Sequence, residues 1–241
     1  MVFLISNLRP FSTFGVLLKE VSNLKGRKQS SREWLIRQIK DPYVEKAKME
    51  SYRCRSAFKL LEIDDKYKFL KPGHIVVDCG ASPGGWTQVA SRRCNADAKD
   101  NEKRGMVIAI DLIKMHHIPG AIFLSPMDFT HLSTQKKLLS ILDGKLVDVF
   151  MSDMAPNATG VGALDHDGII NLVLQSFRFA LDVSNPGGHF LAKIWDGGQT
   201  PAVIKDMQRF YENVYTVKPP ASRQHSAEMY LLCQGFRGLK R

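Results

Sequence analysis

The chain has 241 residues and a formal net charge of +10 at pH 7, enough for one large α/β domain with an appendage. An excess of base of this size points to a polyanionic partner, RNA or DNA before an acidic membrane surface, with simple solubility or a basic targeting segment as the plainer explanations. Four cysteines (Cys54, Cys79, Cys94, Cys233) form no C-x-x-C pair and the seven histidines show no helical spacing, which excludes a disulfide framework and argues against zinc; no apolar run is long enough to span a membrane.

Residues 1–30 carry Arg9, Lys19, Lys25, Arg27 and Lys28 against one acid, Glu20, with Phe3, Leu4, Phe11, Phe14 and Leu17 interleaved. Basic, amphipathic and acid-poor is the composition of a mitochondrial presequence; a disordered basic arm that touches RNA is the alternative. Residues 31–64 read as helical and basic, with Trp34, Leu35 and Ile39 on one apolar face and Pro42 interrupting the pattern. Ser51 is a candidate N-cap for the helix that follows. There Arg53 and Arg55, beside Tyr52, suit phosphate contacts and stacking on bases, or else form a solvated helix face.

Ile75–Val77 reads as a short buried strand ending at Asp78, followed by a loop with Gly80, Pro83, Gly84 and Gly85 and a helix from Trp86 to about Cys94. Strand, glycine loop and helix open a nucleotide-binding α/β sheet, because glycine lets backbone approach a ligand beside the helix N-terminus. The spacing Gly80-x-x-x-Gly84-Gly85 is not the dinucleotide G-x-G-x-x-G, and no Gly-Lys-Ser/Thr ending makes it a P-loop. An acid followed by open glycine backbone suits a ligand with an ammonium group and no phosphate, as in S-adenosylmethionine; a tight turn without ligand is the alternative. Asn95–Arg104 reads as a polar surface loop.

A second strand, Met106–Ile110, ends in Asp111, placed to accept hydrogen bonds from a ribose diol. Ala121–Leu124 is a third, and Asp128 shortly after it is placed to meet an adenine amino group or to face solvent. Val147–Met151, the fourth strand, runs into Ser152-Asp153-Met154-Ala155-Pro156-Asn157. Residues 167–182 form an apolar helical pattern, Asn185–Gly188 a turn, and His189–Trp195 a fifth strand. Lys193 lies inside that apolar strand, where a lysine is rarely buried without a partner, although an edge lysine can snorkel. Helix 201–210 and strands 214–217 and 229–233 complete the chain. Asp78, Asp111 and Asp153 all fall at strand carboxyl ends, where the ligand crevice of an open parallel sheet lies.

The segments Ser51–Leu60, Asp78–Trp86, Ser152–Asn157, Gly188–Lys193 and Ser222–Tyr230 resemble, together, the FtsJ/RrmJ ribose 2′-O-methyltransferases, and are most similar to the mitochondrial ribosomal RNA members. The resemblance runs from about Trp34 to Cys233. It implies a Rossmann-like class I fold: a mostly parallel seven-stranded sheet, helices on both faces and an antiparallel last strand, in a single domain over residues 31–241 with a basic helical extension at its start. The family's catalytic Lys-Asp-Lys-Glu tetrad carries over onto Lys59, Asp153, Lys193 and Glu228, and its methyl-donor site onto Gly84, Trp86, Asp111, Asp128 and Asp153. Asn95–Arg104 is longer than in the compact bacterial form, and Ala163–Asp167 belongs to the mitochondrial-like variants.

The resemblance implies methyl transfer from S-adenosylmethionine to a ribose 2′-hydroxyl, with uridine of large-subunit ribosomal RNA, or of its precursor particle, as substrate. The expected enzyme is a monomer of the mitochondrial matrix without metal. Lys193 is the candidate general base: a lysine ordinarily sits near pKa 10.4, burial and the second cation Lys59 favour its neutral form, and Asp153 opposes them. A lysine that only positions the hydroxyl is the alternative. Transfer RNA or a messenger cap as substrate, and a ribosome-assembly factor that keeps its pocket as a relic, remain open; a nicotinamide oxidoreductase fails on the glycine spacing.

Overall fold

The computed structural model describes residues 36, 38–156, 159 and 162–239. The segment read as a presequence, residues 1–30, lies outside the described residues, as do Trp34, Leu35 and Asn157. The chain divides into two units, 1–42 and 43–241. In the first, Ile36, Gln38 and Ile39 are helical; the second carries the sheet.

Helix α1 (Pro42–Met49) begins on the proline, whose fixed φ suits the first helical position. Pro42 therefore opens a helix as well as interrupting one. Ser51 does not cap the next helix. It takes a left-handed φ of +57° just past α1, and Tyr52 N–H donates to the Ala47 carbonyl at 2.8 Å, closing that helix. Helix α2 (Ala57–Tyr67) starts six residues later, with Ser56 at its N-cap.

The remaining elements alternate. Strand β1 (Ile75–Cys79) leads to α3 (Gly85–Arg93); β2 (Met106–Ile110) and β3 (Ala121–Leu124) lead to α4 (Leu132–Leu142); β4 (Val147–Ser152) leads to α5 (Gly162–Val183). Strand β5 (Ser184–Trp195) precedes α6 (Thr200–Gln208), β6 (Tyr211–Val217) and β7 (Glu228–Phe236). The seven strands form one sheet in the order β3-β2-β1-β4-β5-β7-β6. Pairs from β3 to β5 are parallel, and β7 runs antiparallel between β5 and β6.

Central strands read as continuous apolar runs because both faces are covered. Val77, Cys79, Phe150, Phe190 and Ala192 pack with α4, α5 and α6, whereas Val76, Met151, Leu191, Tyr230 and Leu232 pack with α2 and α3. The two-residue period of a strand thus assigns each side chain to a layer. Asp78 shares the parity of Val76, and Lys193 that of Leu191, so both face the α2–α3 layer. The expected turn at 185–188 is a bulge inside β5: Val147 pairs with Ser184 and Val149 with His189, leaving three extra residues on the longer strand.

Candidate active site

The four strand-end and helix side chains expected to act together do meet. Lys59 lies in the first turn of α2, Asp153 follows the last residue of β4, Lys193 sits near the end of β5, and Glu228 opens β7. The antiparallel register sets Trp195 opposite Glu228 and Lys193 opposite Tyr230, which brings the two ends to one place. Two ion pairs result: Lys59 Nζ is 2.6 Å from Glu228 Oε1, and Lys193 Nζ is 3.0 Å from Asp153 Oδ1. All four side chains are largely enclosed, at 11–18% exposure, so neither pair is diluted by bulk water.

Three residues that sequence reasoning did not single out join the pairs. Tyr230 O–H donates to Asp153 Oδ1 at 3.4 Å, Ser56 O–H to Asp153 Oδ2 at 3.3 Å, and Ser222 O–H to Glu228 Oε1 at 2.9 Å. Ser56 holds the N-cap position of α2 but makes no side-chain cap; its hydroxyl goes to the acid instead. Burial raises the Tyr230 phenol well above its usual pKa, reinforced by the nearby Asp153 and Glu228 charges, so it stays a donor. Burial would also lift Glu228, but the Lys59 ammonium and its hydrogen bond, with Ser222 and Lys193, outweigh that and hold the carboxyl below its ordinary value. Tyr230 was detectable as the residue two beyond Glu228 on the same strand face.

Lys193 also donates to the backbone carbonyl of Asp153. An ammonium has three N–H donors, so these two contacts fix the side chain and leave one position for a substrate hydroxyl.

The glycine loop abuts this group. Asp153 N–H donates to the Cys79 carbonyl at 2.9 Å, joining the ends of β1 and β4. Gly80 has φ +75°, and a Cβ there would lie 2.7 Å from the Met154 backbone nitrogen. Gly84, at φ +115°, caps α3, whose first N–H groups have no partner within the helix. Trp86 contributes through its backbone there, because its ring is buried against Tyr230 and its Nε1 donates to the Ser56 carbonyl.

Two further acids frame the loop. Asp111 Oδ2 accepts from Ser82 N at 2.8 Å and Oδ1 from Ile113 N at 2.7 Å, leaving each oxygen a second acceptor site for a diol. Asp128 Oδ1 accepts from Thr130 N and Oγ1, and its other oxygen, 3.8 Å from His131 Nε2, is the one turned to receive an amino group. A nucleoside with an adenine and a free ribose diol fits this donor and acceptor set.

Asp78 does not belong to that set. Its carboxylate is fully buried, and Oδ2 accepts from Thr87 Oγ1 on α3 at 2.6 Å, while Oδ1 has no partner. A ligand ammonium cannot touch an atom closed to water, so the expected direct contact is absent; strand parity turns this acid toward α3. Burial, with Asp153 and Asp111 nearby, raises its pKa to about 7.

Arg53 and Arg55 also differ from expectation. Arg53 Nη1 donates to the carbonyls of Pro83 (3.1 Å) and His116 (2.9 Å), and Nη2 to that of His117 (2.7 Å). It ties the glycine loop to the segment after Asp111. Arg55 donates to the Ala221 carbonyl and lies over the Tyr43 ring. Both guanidiniums serve the chain's own backbone, because unpaired carbonyls in its loops lie within their reach. Among the described residues no group of three or more His, Cys, Asp or Glu is arranged to hold a metal ion, and no helix is long and apolar enough to cross a membrane.

Comparison with known proteins agrees with this geometry. The family model described as FtsJ-like methyltransferase matches residues 52–236. The chain is 54% identical over 217 residues to "rRNA methyltransferase 2, mitochondrial" of Drosophila melanogaster, covering 90% of this chain and 87% of the relative. It is 48% identical to "Ribosomal RNA large subunit methyltransferase E" of a Bradyrhizobium strain, over 94% and 95% of the two chains. A solved Plasmodium falciparum structure described as a ribosomal RNA methyltransferase superposes with a TM-score of 0.65 at 33% identity, covering 78% of this chain and all of that one.

Proposed function

Because the chain belongs to the FtsJ-like methyltransferase family, we propose that it methylates a ribose 2′-hydroxyl, on a uridine of mitochondrial large-subunit ribosomal RNA, using S-adenosylmethionine. The observation that carries this reading is the Lys193–Asp153 pair set directly against the glycine loop of β1. The methyl donor and the hydroxyl need to meet within bonding distance, and this is where the two candidate subsites share backbone.

When bound, S-adenosylmethionine supplies a methyl group already activated by its sulfonium. The work left to the chain is to hold the two reactants and to take a proton. Asp111 and Asp128 would hold the ribose and adenine, and the Gly84–Trp86 backbone the amino-acid end. Lys193, held by its two contacts to Asp153, takes the 2′-hydroxyl proton as the oxygen bonds to carbon once its own third ammonium proton has left to solvent, so that the neutral amine is the acceptor. Asp153 orients Lys193, and its charge is shared with Ser56 and Tyr230. Lys59, tied to Glu228, positions the ribose and steadies negative charge on the oxygen. Residues 1–30 deliver the protein to the mitochondrial matrix, a reading supported by their composition and by the mitochondrial relative.

The test is methyl transfer from labelled S-adenosylmethionine to large-subunit precursor particles, with the labelled ribose mapped and Lys193→Ala as control. A single 2′-O-methyl mark that the variant does not make is the expected result. Label confined to transfer RNA would move the substrate, and cofactor binding without any transfer would overturn the catalytic reading.

A further inference from the structure

The net charge of +10 is spread over many side chains besides Arg53 and Arg55, which bond to the chain's own carbonyls. A cavity of about 720 Å³ opens on the far edge of the sheet. Ile75, Met106 and Ala121, the first residues of β1, β2 and β3, line it, so it lies at the amino ends of the strands whose carboxyl ends bear the glycine loop. Lys103, Arg104 and Lys145 also line it, and no carboxylate does. Of the acids beside it, Asp148 accepts from Ile75 N and Asn185 Nδ2, and Asp97 is paired with Lys99 at 3.2 Å. No ion pair to any of the three cations occurs among the described residues.

These cations are held in place by packing. Buried Asn95 accepts from Asp100 N at 3.1 Å and donates to the carbonyls of Asp100 (3.0 Å) and Glu102 (2.9 Å), which orders the loop that bears Lys103 and Arg104. Arg104 Nε donates to the Ala96 carbonyl at 3.3 Å. The Lys103 stem lies across Gly73, where a Cβ would meet its Cδ at 2.6 Å. Lys103 and Arg104 are thus anchored, and all three residues are exposed.

We propose that this cleft binds backbone phosphate of the RNA substrate, as a second contact remote from the methylated ribose. Three clustered cations with no counter-charge match a phosphodiester, and nothing in the cleft is built to read a base. The five residues of β1 alone separate it from the glycine loop by about 15 Å. An oligonucleotide of about four residues stacked as in a helix spans less than that, at roughly 3.4 Å of rise per phosphate. A folded RNA reaches both, so the cleft selects structured substrate over short fragments. The inference rests on the RNA reading above, and its test separates the two.

The full chain and a Lys103→Gln/Arg104→Gln/Lys145→Gln variant are compared for binding of a structured large-subunit RNA fragment, of a tetranucleotide, of S-adenosylhomocysteine and of inorganic phosphate. The expected result is a loss of about ten-fold or more for the long RNA, with a salt slope smaller by roughly two to three. Tetranucleotide and S-adenosylhomocysteine binding stay unchanged, which also reports an intact fold. Equal long-RNA affinity and salt slope in both proteins would overturn the cleft while leaving the RNA reading standing. Phosphate stabilising only the wild type, with long-RNA binding unaltered, would make it a small-anion site instead and overturn the RNA contact. A wild type that neither binds nor methylates the RNA would overturn the functional reading, and the cleft with it.

Discussion

Lys193 and Tyr230 face each other across the antiparallel β5–β7 ladder, and both side chains end on the same oxygen of Asp153. The acid at the end of β4 is thereby held from two strands and, through Ser56, from α2. A lysine amine held in this way is fixed in place before any ligand arrives.

Lys193→Ala should lower turnover by about 10²–10⁴-fold, the usual range for losing a general base, while S-adenosylhomocysteine affinity stays within about two-fold. Lys193→Arg is the sharper variant. Arginine keeps the charge beside Asp153 but does not release its proton. A comparable loss supports proton abstraction; near-normal turnover would reduce Lys193 to a positioning charge.

Glu228→Gln should cost about 3 kcal/mol at pH 7, because it leaves the enclosed Lys59 ammonium without its counter-charge. Folded Glu228 titrates below its ordinary value of 4.5. Its stabilisation is therefore complete above that value and is lost as pH falls through the folded pKa. Urea midpoints of the two proteins should differ at pH 7 and converge as pH falls through the folded, lowered pKa. A gap that persists in acid would mean that lost shape, not lost charge, explains the effect.

Asp78→Asn should stabilise the protein in neutral solution. The native carboxyl titrates near 7 and the ordinary value is 3.8, so the folded state retains a proton that the unfolded state gives up between them. Stability then falls as pH rises from about 4 to 7 and levels off beyond. Asparagine keeps an acceptor for Thr87 without that titration. The melting-temperature difference should grow across this window to the equivalent of about 4 kcal/mol. A pH-independent difference would show that Asp78 is ionised throughout.

Arg53→Met should weaken S-adenosylhomocysteine binding by about ten-fold, or 1.4 kcal/mol, by releasing the segment after Asp111 from the glycine loop. Its salt dependence of RNA binding should match the wild type. An unchanged cofactor affinity with a flatter salt dependence would return Arg53 to the phosphate-contact role suggested by its neighbours in sequence.

The seven strands were readable because buried parallel strands are apolar runs bounded by turn residues, as at Ile75–Cys79 and Met106–Ile110. The tetrad positions were readable through their motifs, and each lies where the sheet brings chain ends together. Asp78 was misjudged because a strand-end acid was assumed to face the crevice, when the two-residue period directs it at Thr87. The internal contacts of the arginines were not readable for another reason. Their partners, at His116, His117 and Ala221, lie 63 to 166 residues away, and no local pattern announces a carbonyl in need of a donor. Ser51 fell to the same limit: its position after α1 is set by a left-handed turn, not by the helix that follows.

Strand β7 is inserted between β5 and β6 and supplies both Glu228 and Tyr230. The interior of the sheet is thus closed by a strand that leaves the ribosome after the other six described strands. A nascent chain that has emerged only as far as β6 has Lys59, Asp153 and Lys193 but no counter-charge for the first and no phenol for the second. A chain cut before β7 would therefore leave the Lys59 ammonium and the Asp153 carboxylate without the two partners that hold them in the finished sheet.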